Sequence, residues 1–226
     1  MPPFIADPAM GHLIQTLAIA AIPVIFAITL HEAAHGYVAR HFGDYTAHVA
    51  GRISLNPLRH IDPVGTLLIP VLILLFSAGS LLFGYAKPVP VDFSRLHRPK
   101  QDMLWVAAAG PLSNLFMAIG WGLLFKVGEV MPENAYTLPL LKMADLGMDV
   151  NIGLMLLNLL PIPPLDGGRI AVSLLPYRQA IGFSRLEPWG FPILILLLFT
   201  GILGSILYPL MGGMRYLLAV IFNFQV

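Results

Sequence analysis

The 226-residue sequence contains no cysteine, few charged residues and no large excess of either charge sign. Without cysteine there is no disulfide bond and no thiolate ligand, so any metal ion must be held by His, Asp or Glu. Charged residues form 11% of the chain, against roughly 25% in an ordinary soluble domain. The formal net charge is only +1, and no basic tract resembles a nucleic-acid footprint. We therefore expect no nucleic-acid partner.

Hydrophobic residues make up 57% of the chain, and several runs approach or exceed the roughly 20 residues that cross a bilayer. The absence of repeats and low-complexity segments favours a single membrane domain over residues 1–226. We expect an all-α membrane protein, a polytopic bundle of about five to six transmembrane helices. The predicted segments are a helix over 13–39, a re-entrant or transmembrane segment over 64–83, a helix over 103–127, a helix over 147–160 followed by a Leu-Asp-Gly turn, and C-terminal helices over 190–223.

The first apolar run is expected to remain as a helix, because residues 1–11 lack the basic region of a cleaved signal peptide. Lys and Arg concentrate in three loops: after 13–39, before 103–127 and after 147–160. The positive-inside rule places these loops in the cytoplasm and the acidic loop over 128–147 outside. A single crossing by 64–83 would conflict with this arrangement. We therefore favour a segment that dips in and returns, bending near Pro70 or at the small residues 77–80.

The motif His31-Glu32-Ala33-Ala34-His35 stands near the end of the first apolar run. Helical residues four apart lie about 40° from one another around the axis, so both imidazoles can face one zinc ion. Glu32 lies roughly 100° away, beside such an ion, where a general base would stand.

The depth of the motif argues against a purely structural role. Arg40, the first charged residue beyond the motif, lies about 13 Å along the helix from His31. This distance places the site within the membrane. Ionisable groups at such depth cost about 2.5–3.5 kcal/mol each on insertion scales, and zinc binding would offset that cost. The alternative is a polar contact between helices, which the almost wholly nonpolar flanking residues disfavour.

A catalytic zinc ion keeps three protein ligands and one open position, and Asp166 is our candidate for the third ligand. It follows an apolar helix broken by three prolines and precedes Gly167–Gly168, which we interpret as letting the backbone turn sharply. Non-helical backbone at membrane depth survives where it is buried in protein or lines a wet cavity. Taken alone, the same segment is typical of a helix stop followed by a solvated Asp.

Three segments together resemble the site-2 protease family of intramembrane zinc metalloproteases, in the short form without a PDZ or CBS domain. They are HEAAHGYVAR at 31–40, AAAGPLSN at 107–114 and NLLPIPPLDGGRI at 158–170. The order and spacing of the three segments carry the resemblance.

The resemblance implies one Zn²⁺ per chain, bound by His31, His35 and Asp166, with Glu32 as the catalytic general base. Asn158 corresponds to a family asparagine that binds the substrate backbone or the developing oxyanion, although an amide here could equally cap or cross-link helices.

It also implies regulated intramembrane proteolysis of a transmembrane protein or peptide. The expected location is the prokaryotic plasma membrane, with the active site toward the cytoplasm. The sequence leaves the substrate, the regulator and the oligomeric state open.

The segment Gly51–Asn56 alternates polar and apolar residues with the period of a strand. It predicts a small β-like element after the first helix, either an edge that pairs with an unwound substrate or a plain surface hairpin.

Two rival functions remain open: a metal-binding membrane transporter and a catalytically silent zinc-binding scaffold. Neither rival requires a carboxylate such as Glu32 beside the metal, so this residue separates them from a protease.

Overall fold

A computed structural model of the chain describes residues 8–60, 62–69, 72 and 87–224. Short 3₁₀-helices occupy Pro57–Arg59 and Phe93–Arg95, and a π-helix occupies Pro63–Leu68. The α-helices in the described residues are α1 (Pro8–His41), α2 (Thr46–Val49), α3 (Pro99–Val130), α4 (Thr137–Asn158), α5 (Asp166–Leu174), α6 (Tyr177–Ser184), α7 (Glu187–Phe199) and α8 (Ile202–Phe222).

Helices α1, α3 and α4 form the centre of the bundle, and each runs antiparallel to the next. The Asn114 amide of α3 donates to the Ala27 carbonyl of α1 at 3.3 Å, while Gly110 lies beside the later residue His31. In the same way Asn114 meets Asn151 of α4 at 3.0 Å, while Gly128, further along α3, meets Leu141, nearer the start of α4. Helices α1 and α4 are therefore parallel.

Helix α8 packs against α4 in the antiparallel direction, since Gly153 meets Met211 and the earlier residue Asp149 meets the later residue Arg215. Ala118 of α3, Met148 and Ile152 of α4, and Leu218 and Ala219 of α8 form a buried apolar cluster. The Arg215 guanidinium of α8 also bonds to two carboxylates of α4, Asp149 at 2.7 Å and Asp145 at 2.6 Å.

The helices confirm the expectation of an all-α integral membrane protein. Three are long and apolar enough to cross a membrane: the part of α1 over Ala18–His41, α3 and α8. The pair α6 and α7, bent by 61°, makes a fourth if it is one span. The predicted count of five to six spans is therefore not confirmed within the described residues.

The predicted β-like element is not found as a strand in the described part of the chain. Residues 51–56 form a turn followed by irregular backbone. The segment 87–92 lies beside them, but Pro88 and Pro90 cannot donate to a ladder. Instead the Arg52 guanidinium donates to the Lys87 carbonyl at 3.0 Å and to the Pro88 carbonyl at 3.3 Å. Side-chain bonds have replaced the backbone pairing that the alternation predicts.

The chain on either side of the 64–83 segment lies at one end of the bundle. The Lys87 N–H donates to the His60 carbonyl at 2.9 Å, and the His97 N–H donates to the Phe42 carbonyl at 2.9 Å. The basic loops before and after this segment therefore lie together. Most of the segment itself, residues 70, 71 and 73–83, lies outside the described residues.

The loop between α4 and α5 is held by unusually close backbone packing. A Cβ atom at Gly167 would overlap the Leu159 carbonyl, and one at Gly168 would overlap the Pro163 nitrogen. Both glycines lie inside α5, so the predicted reason for the pair, a sharp turn at the glycines, is wrong. The pair allows α5 to begin directly against the proline-rich loop.

Candidate metal centre

His31 and His35 lie one turn apart on the face of α1 that meets α3. Their Nε2 atoms are 3.1 Å apart, and the rings meet edge to face with centroids 4.8 Å apart. His31 is buried, with 7% of its surface exposed. The spacing of four residues thus brings both rings to one point.

The second nitrogen of each ring is bonded to α3. His31 Nδ1 lies 2.5 Å from Asn114 Oδ1, and His35 Nδ1 lies 2.7 Å from the Val106 carbonyl oxygen. The Asn114 amide nitrogen donates to Asn151 Oδ1, which fixes Asn114 Oδ1 as the acceptor. Each Nδ1 therefore donates a proton, and each Nε2 of a neutral ring keeps a lone pair.

Asp166, the first residue of α5, is placed against both rings by the proline-rich loop. Its Oδ2 lies 3.2 Å from His31 Nε2 and 3.4 Å from His35 Nε2. This oxygen is buried and, within the described residues, has no hydrogen-bond partner. Three lone pairs consequently face one another across a few ångströms.

The arrangement of these atoms fits a divalent metal ion. Without a cation the three lone pairs would repel one another, because neither Nε2 atom carries a proton to donate to the Asp166 oxygen. A buried carboxylate oxygen without a partner costs free energy. In tetrahedral zinc coordination, ligands about 2.0–2.1 Å from the ion are about 3.3 Å apart, close to the 3.1–3.4 Å separations seen here. Three ligands leave a fourth position open, as in a catalytic zinc site.

Gly110 of α3 closes one side of this group. A Cβ atom at Gly110 would overlap His35 Nε2 and lie 2.6 Å from His31 Nε2. The rings therefore pack directly on the backbone of α3, and Pro111, which cannot bond to the carbonyl four residues earlier, follows at once. The Gly110–Pro111 pair thus forms the floor of the site.

Glu32 is held beside the group by the segment 87–92, here called the strap. The Val89 N–H donates to Glu32 Oε2 at 2.8 Å. The strap is itself anchored at both ends, by the Arg52 bonds to its first two carbonyls and by its last N–H, which donates to buried Asp44 at 2.7 Å. One oxygen of the Glu32 carboxylate is thereby fixed.

All five site residues suggested by the sequence line one cavity of about 530 Å³: His31, Glu32, His35, Asn158 and Asp166. Asn158 reaches it from the end of α4, and its amide nitrogen donates to the Leu154 carbonyl at 3.0 Å. The amide therefore lies near the candidate metal ligands but is bonded to its own helix.

Arg169, one turn after Asp166, also lines this cavity. Its guanidinium carbon lies 4.8 Å from the centre of the Phe93 ring, and it pairs with Glu187 of α7 at 3.3 Å. Both partners of this pair are partly exposed, so the pair contributes little to stability. It joins α5 to the start of α7 and to the strap side of the cavity.

Sequence reasoning missed the parts that support the candidate ligands. Asn114 and Asn151 are fully buried, and neither is among the site residues that the sequence suggested. A usable signal was present, since an amide in an apolar membrane helix needs a partner. The bond from the Val89 N–H to Glu32 could not be predicted in this way, because every residue except proline has a backbone N–H and the two residues are 57 positions apart.

Comparisons with known proteins identify the family of the chain. The profile of peptidase family M50 matches residues 127–201. The protein named "Putative zinc metalloprotease YwhC" of Bacillus subtilis (strain 168) is 41% identical over 204 residues, which cover 86% of each chain. No solved structure matches.

More distant relatives carry the name "Putative zinc metalloprotease Rip2". The one from Mycolicibacterium smegmatis is 32% identical over 78% of this chain and 64% of its own length. The one from Mycobacterium tuberculosis (strain H37Rv) is 31% identical over 70% of this chain and 60% of its own length. The family resemblance carried by the three sequence motifs is thus confirmed, and the chain belongs to peptidase family M50, the site-2 protease family.

Proposed function

We propose that this chain is an intramembrane zinc endopeptidase that hydrolyses peptide bonds in or next to the transmembrane segments of membrane proteins. One observation carries the proposal: the His31, His35 and Asp166 ligand atoms converge within 3.4 Å of one another, and Glu32 lines the same cavity. The family and the zinc metalloprotease names of its relatives support Zn²⁺ as the cofactor.

In this proposal His31, His35 and Asp166 hold the zinc ion. Zinc would supply Lewis acidity, which lowers the pKa of a bound water and polarises the scissile carbonyl. Glu32 takes the proton from the attacking water and later delivers it to the leaving amine. The Val89 N–H keeps this carboxylate in place by bonding to Oε2, which leaves Oε1 for the proton transfer.

Asn158 is assigned to substrate binding. Its amide would donate to the substrate backbone or to the developing oxyanion, where one such donor is worth about 2.7–4 kcal/mol in other enzymes. An amide nitrogen carries two N–H donors, and the bond to the Leu154 carbonyl uses one of them. The second can serve the substrate without breaking that bond.

A membrane-embedded site limits what can be cleaved. A helical peptide bond has its carbonyl engaged in the helix, so a substrate must present an extended stretch to the cavity. We expect helix-weakening residues near the scissile bond. The basic loops at the strap end of the bundle favour a cytoplasmic site, where water and the substrate's unwound segment can meet.

The proposal is tested by Glu32→Gln, which keeps the size of the side chain and removes the base. Wild-type and variant proteins, each carrying an affinity tag, are produced in a bacterial host, and zinc content and membrane proteomes are compared. We expect about one zinc ion per chain in both, membrane-protein fragments only with the wild type, and uncleaved membrane proteins that copurify with the variant.

The same variant separates the rival functions. A transporter would keep metal flux into proteoliposomes when Glu32 is replaced, and a silent scaffold would leave the membrane proteome unchanged in both strains. Either result, with zinc bound normally, would contradict the peptidase assignment. His31→Ala serves as the control, since it should lose zinc and cleavage together.

A further inference from the structure

A second cavity of about 540 Å³ lies apart from the metal centre, between the start of α3 and helices α5 and α6. None of the proposed zinc ligands lines it. Its walls are mostly apolar, formed among others by Met103 of α3, Val172 of α5, and Ala180 and Ile181 of α6. A cavity with such walls takes hydrocarbon in preference to a hydrated ion or a nucleotide.

Two cationic side chains lie among the residues that line this cavity, and no acidic residue does. The Lys100 ammonium donates to the Leu175 carbonyl, at the end of α5, and retains further N–H donors. Arg185 is exposed, and its guanidinium has no hydrogen bond or ion pair with the side chain or backbone of any other described residue. The cavity thus combines an apolar interior with two positive charges.

The position of the cavity suits a lipid. It lies where α3 begins, at Pro99, and next to the bend between α6 and α7, at the end of the apolar spans where headgroups meet hydrocarbon. Three aromatic side chains are exposed near the cavity: Trp105, Tyr177 and Trp189. Such exposure is expected for aromatic side chains at a membrane interface.

We propose that this cavity binds one anionic phospholipid. The acyl chain lies against Met103, Val172 and Ile181, and the phosphate lies between Lys100 and Arg185. A zwitterionic lipid would present its own cation to the same two side chains and would bind less well. Free phosphate would gain the charges but not the apolar walls, so the observations favour a lipid over a soluble anion.

The cavity shares one wall with the metal centre. Phe93 lines both cavities, and on the side of the metal centre its ring carries the Arg169 guanidinium. A bound lipid would therefore touch the ring that forms part of the active-site wall. The lipid proposal does not depend on the peptidase assignment, because it concerns binding at separate residues.

The test is lipid retention by the full chain in detergent, measured by native mass spectrometry with phosphatidylglycerol and phosphatidylcholine of identical acyl chains. We expect the wild type to retain one phosphatidylglycerol with at least roughly 10-fold preference over phosphatidylcholine, and Lys100→Gln/Arg185→Gln to lose that preference. Arg178→Gln is the matched control, because Arg178 lies on α6 outside the cavity; its preference should equal that of the wild type. Ile181→Trp, which narrows the apolar part of the cavity and keeps both charges, should retain less phosphatidylglycerol than the wild type.

Three results would overturn the proposal. Equal retention of the two lipids by the wild type would remove the anionic preference. An equal loss in Arg178→Gln would show that diffuse surface charge attracts the lipid. Displacement of phosphatidylglycerol by millimolar inorganic phosphate would assign the two cations to a soluble anion. The thermal unfolding midpoint of each variant shows whether it is folded, and Ile181→Trp provides an independent arm if the double variant is not.

Discussion

At the residue scale, the metal centre requires a glycine at position 110. Its missing side chain is what lets both imidazoles reach the backbone of α3. We expect Gly110→Ala to lower the zinc content of the purified protein at least about 10-fold, because a methyl group there occupies the space of both Nε2 atoms. Zinc per chain is measured by elemental analysis.

Gly120→Ala is the matched control for this substitution. Gly120 lies on the same helix, and a Cβ atom there would meet nothing within 4 Å in the described structure. It should bind zinc as the wild type does. Full zinc occupancy in Gly110→Ala would mean that the two rings do not lie where the structure places them.

Asn114 is expected to act through His31 rather than on the metal. Replacing it by Leu removes the acceptor that holds the His31 Nδ1 proton and removes the donor that bonds to Asn151 Oδ1. Loss of such an outer ligand contact typically weakens metal binding about 10- to 100-fold. Chelator competition on Asn114→Leu measures this affinity.

Ser113→Ala provides the comparison for Asn114→Leu, since among the described residues the Ser113 hydroxyl bonds only to the Gly110 carbonyl of its own helix. Its zinc affinity should stay within about 2-fold of the wild type. If Asn114→Leu bound zinc as tightly as Ser113→Ala, the hydrogen bond to His31 would have no part in metal binding.

The candidate ligands could be predicted from the sequence because their geometry is local. Four residues along a helix bring His31 and His35 together whatever the tertiary fold, and a broken membrane helix points to Asp166. Asn114, Asn151 and the Val89 N–H could not be assigned roles in this way. Their roles depend on how α3, α4 and the strap pack against α1, which no local pattern encodes.

At the scale of elements, the strap determines the position of the Glu32 carboxylate. Val89→Pro removes the N–H that bonds to Glu32 Oε2. A hydrogen bond to a charged group is worth about 1.5–3 kcal/mol, so we expect the rate of cleavage to fall on the order of 10- to 100-fold, with zinc content unchanged. The measurement is cleavage of a substrate captured with Glu32→Gln.

Val89→Ala separates the backbone bond from the packing of the side chain, which is buried against Gly36 of α1. It keeps the N–H and should retain most of the activity. Equal losses in the two variants would assign the effect to packing. An unchanged rate in Val89→Pro would remove the strap from the mechanism.

Elements were predicted best where a single physical requirement determines them. Long apolar runs must form helices in a bilayer, because every backbone N–H and C=O has to be paired internally. The alternation in Gly51–Asn56 predicted a strand, yet a strand needs a donor-rich partner, and the neighbouring strap carries prolines at two positions. The two prolines of the strap, about 35 residues further along the chain, therefore prevent the predicted strand from pairing.

At the scale of the whole molecule, the absence of cysteine makes the orientation directly measurable. Tyr45 and Arg95 lie in segments that meet at one end of the bundle, whereas Tyr136 stands at the start of α4, at the other end. Single cysteines at these three positions can be labelled without any background. We expect positions 45 and 95 to react from the cytoplasmic side and position 136 from the outside.

This labelling experiment also tests the route of the chain around residues 64–83. Labelling of positions 45 and 95 from opposite sides would contradict the packing of the strap against the end of α1. Labelling of both from the outside would place the proposed active site on the other face. The sequence had left this point as a conflict between the positive-inside rule and a long apolar run.

The central claim, that His31, His35 and Asp166 hold one zinc ion, is tested most directly by zinc X-ray absorption of the purified Glu32→Gln protein and of the same protein with Asp166→Ala. For the former we expect two imidazole nitrogens at about 2.0–2.1 Å and oxygen ligands at about 2.0–2.2 Å. In the Asp166→Ala protein the zinc content should fall or the carboxylate oxygen should be lost from the shell. An identical zinc content and ligand shell in the two proteins would contradict the account.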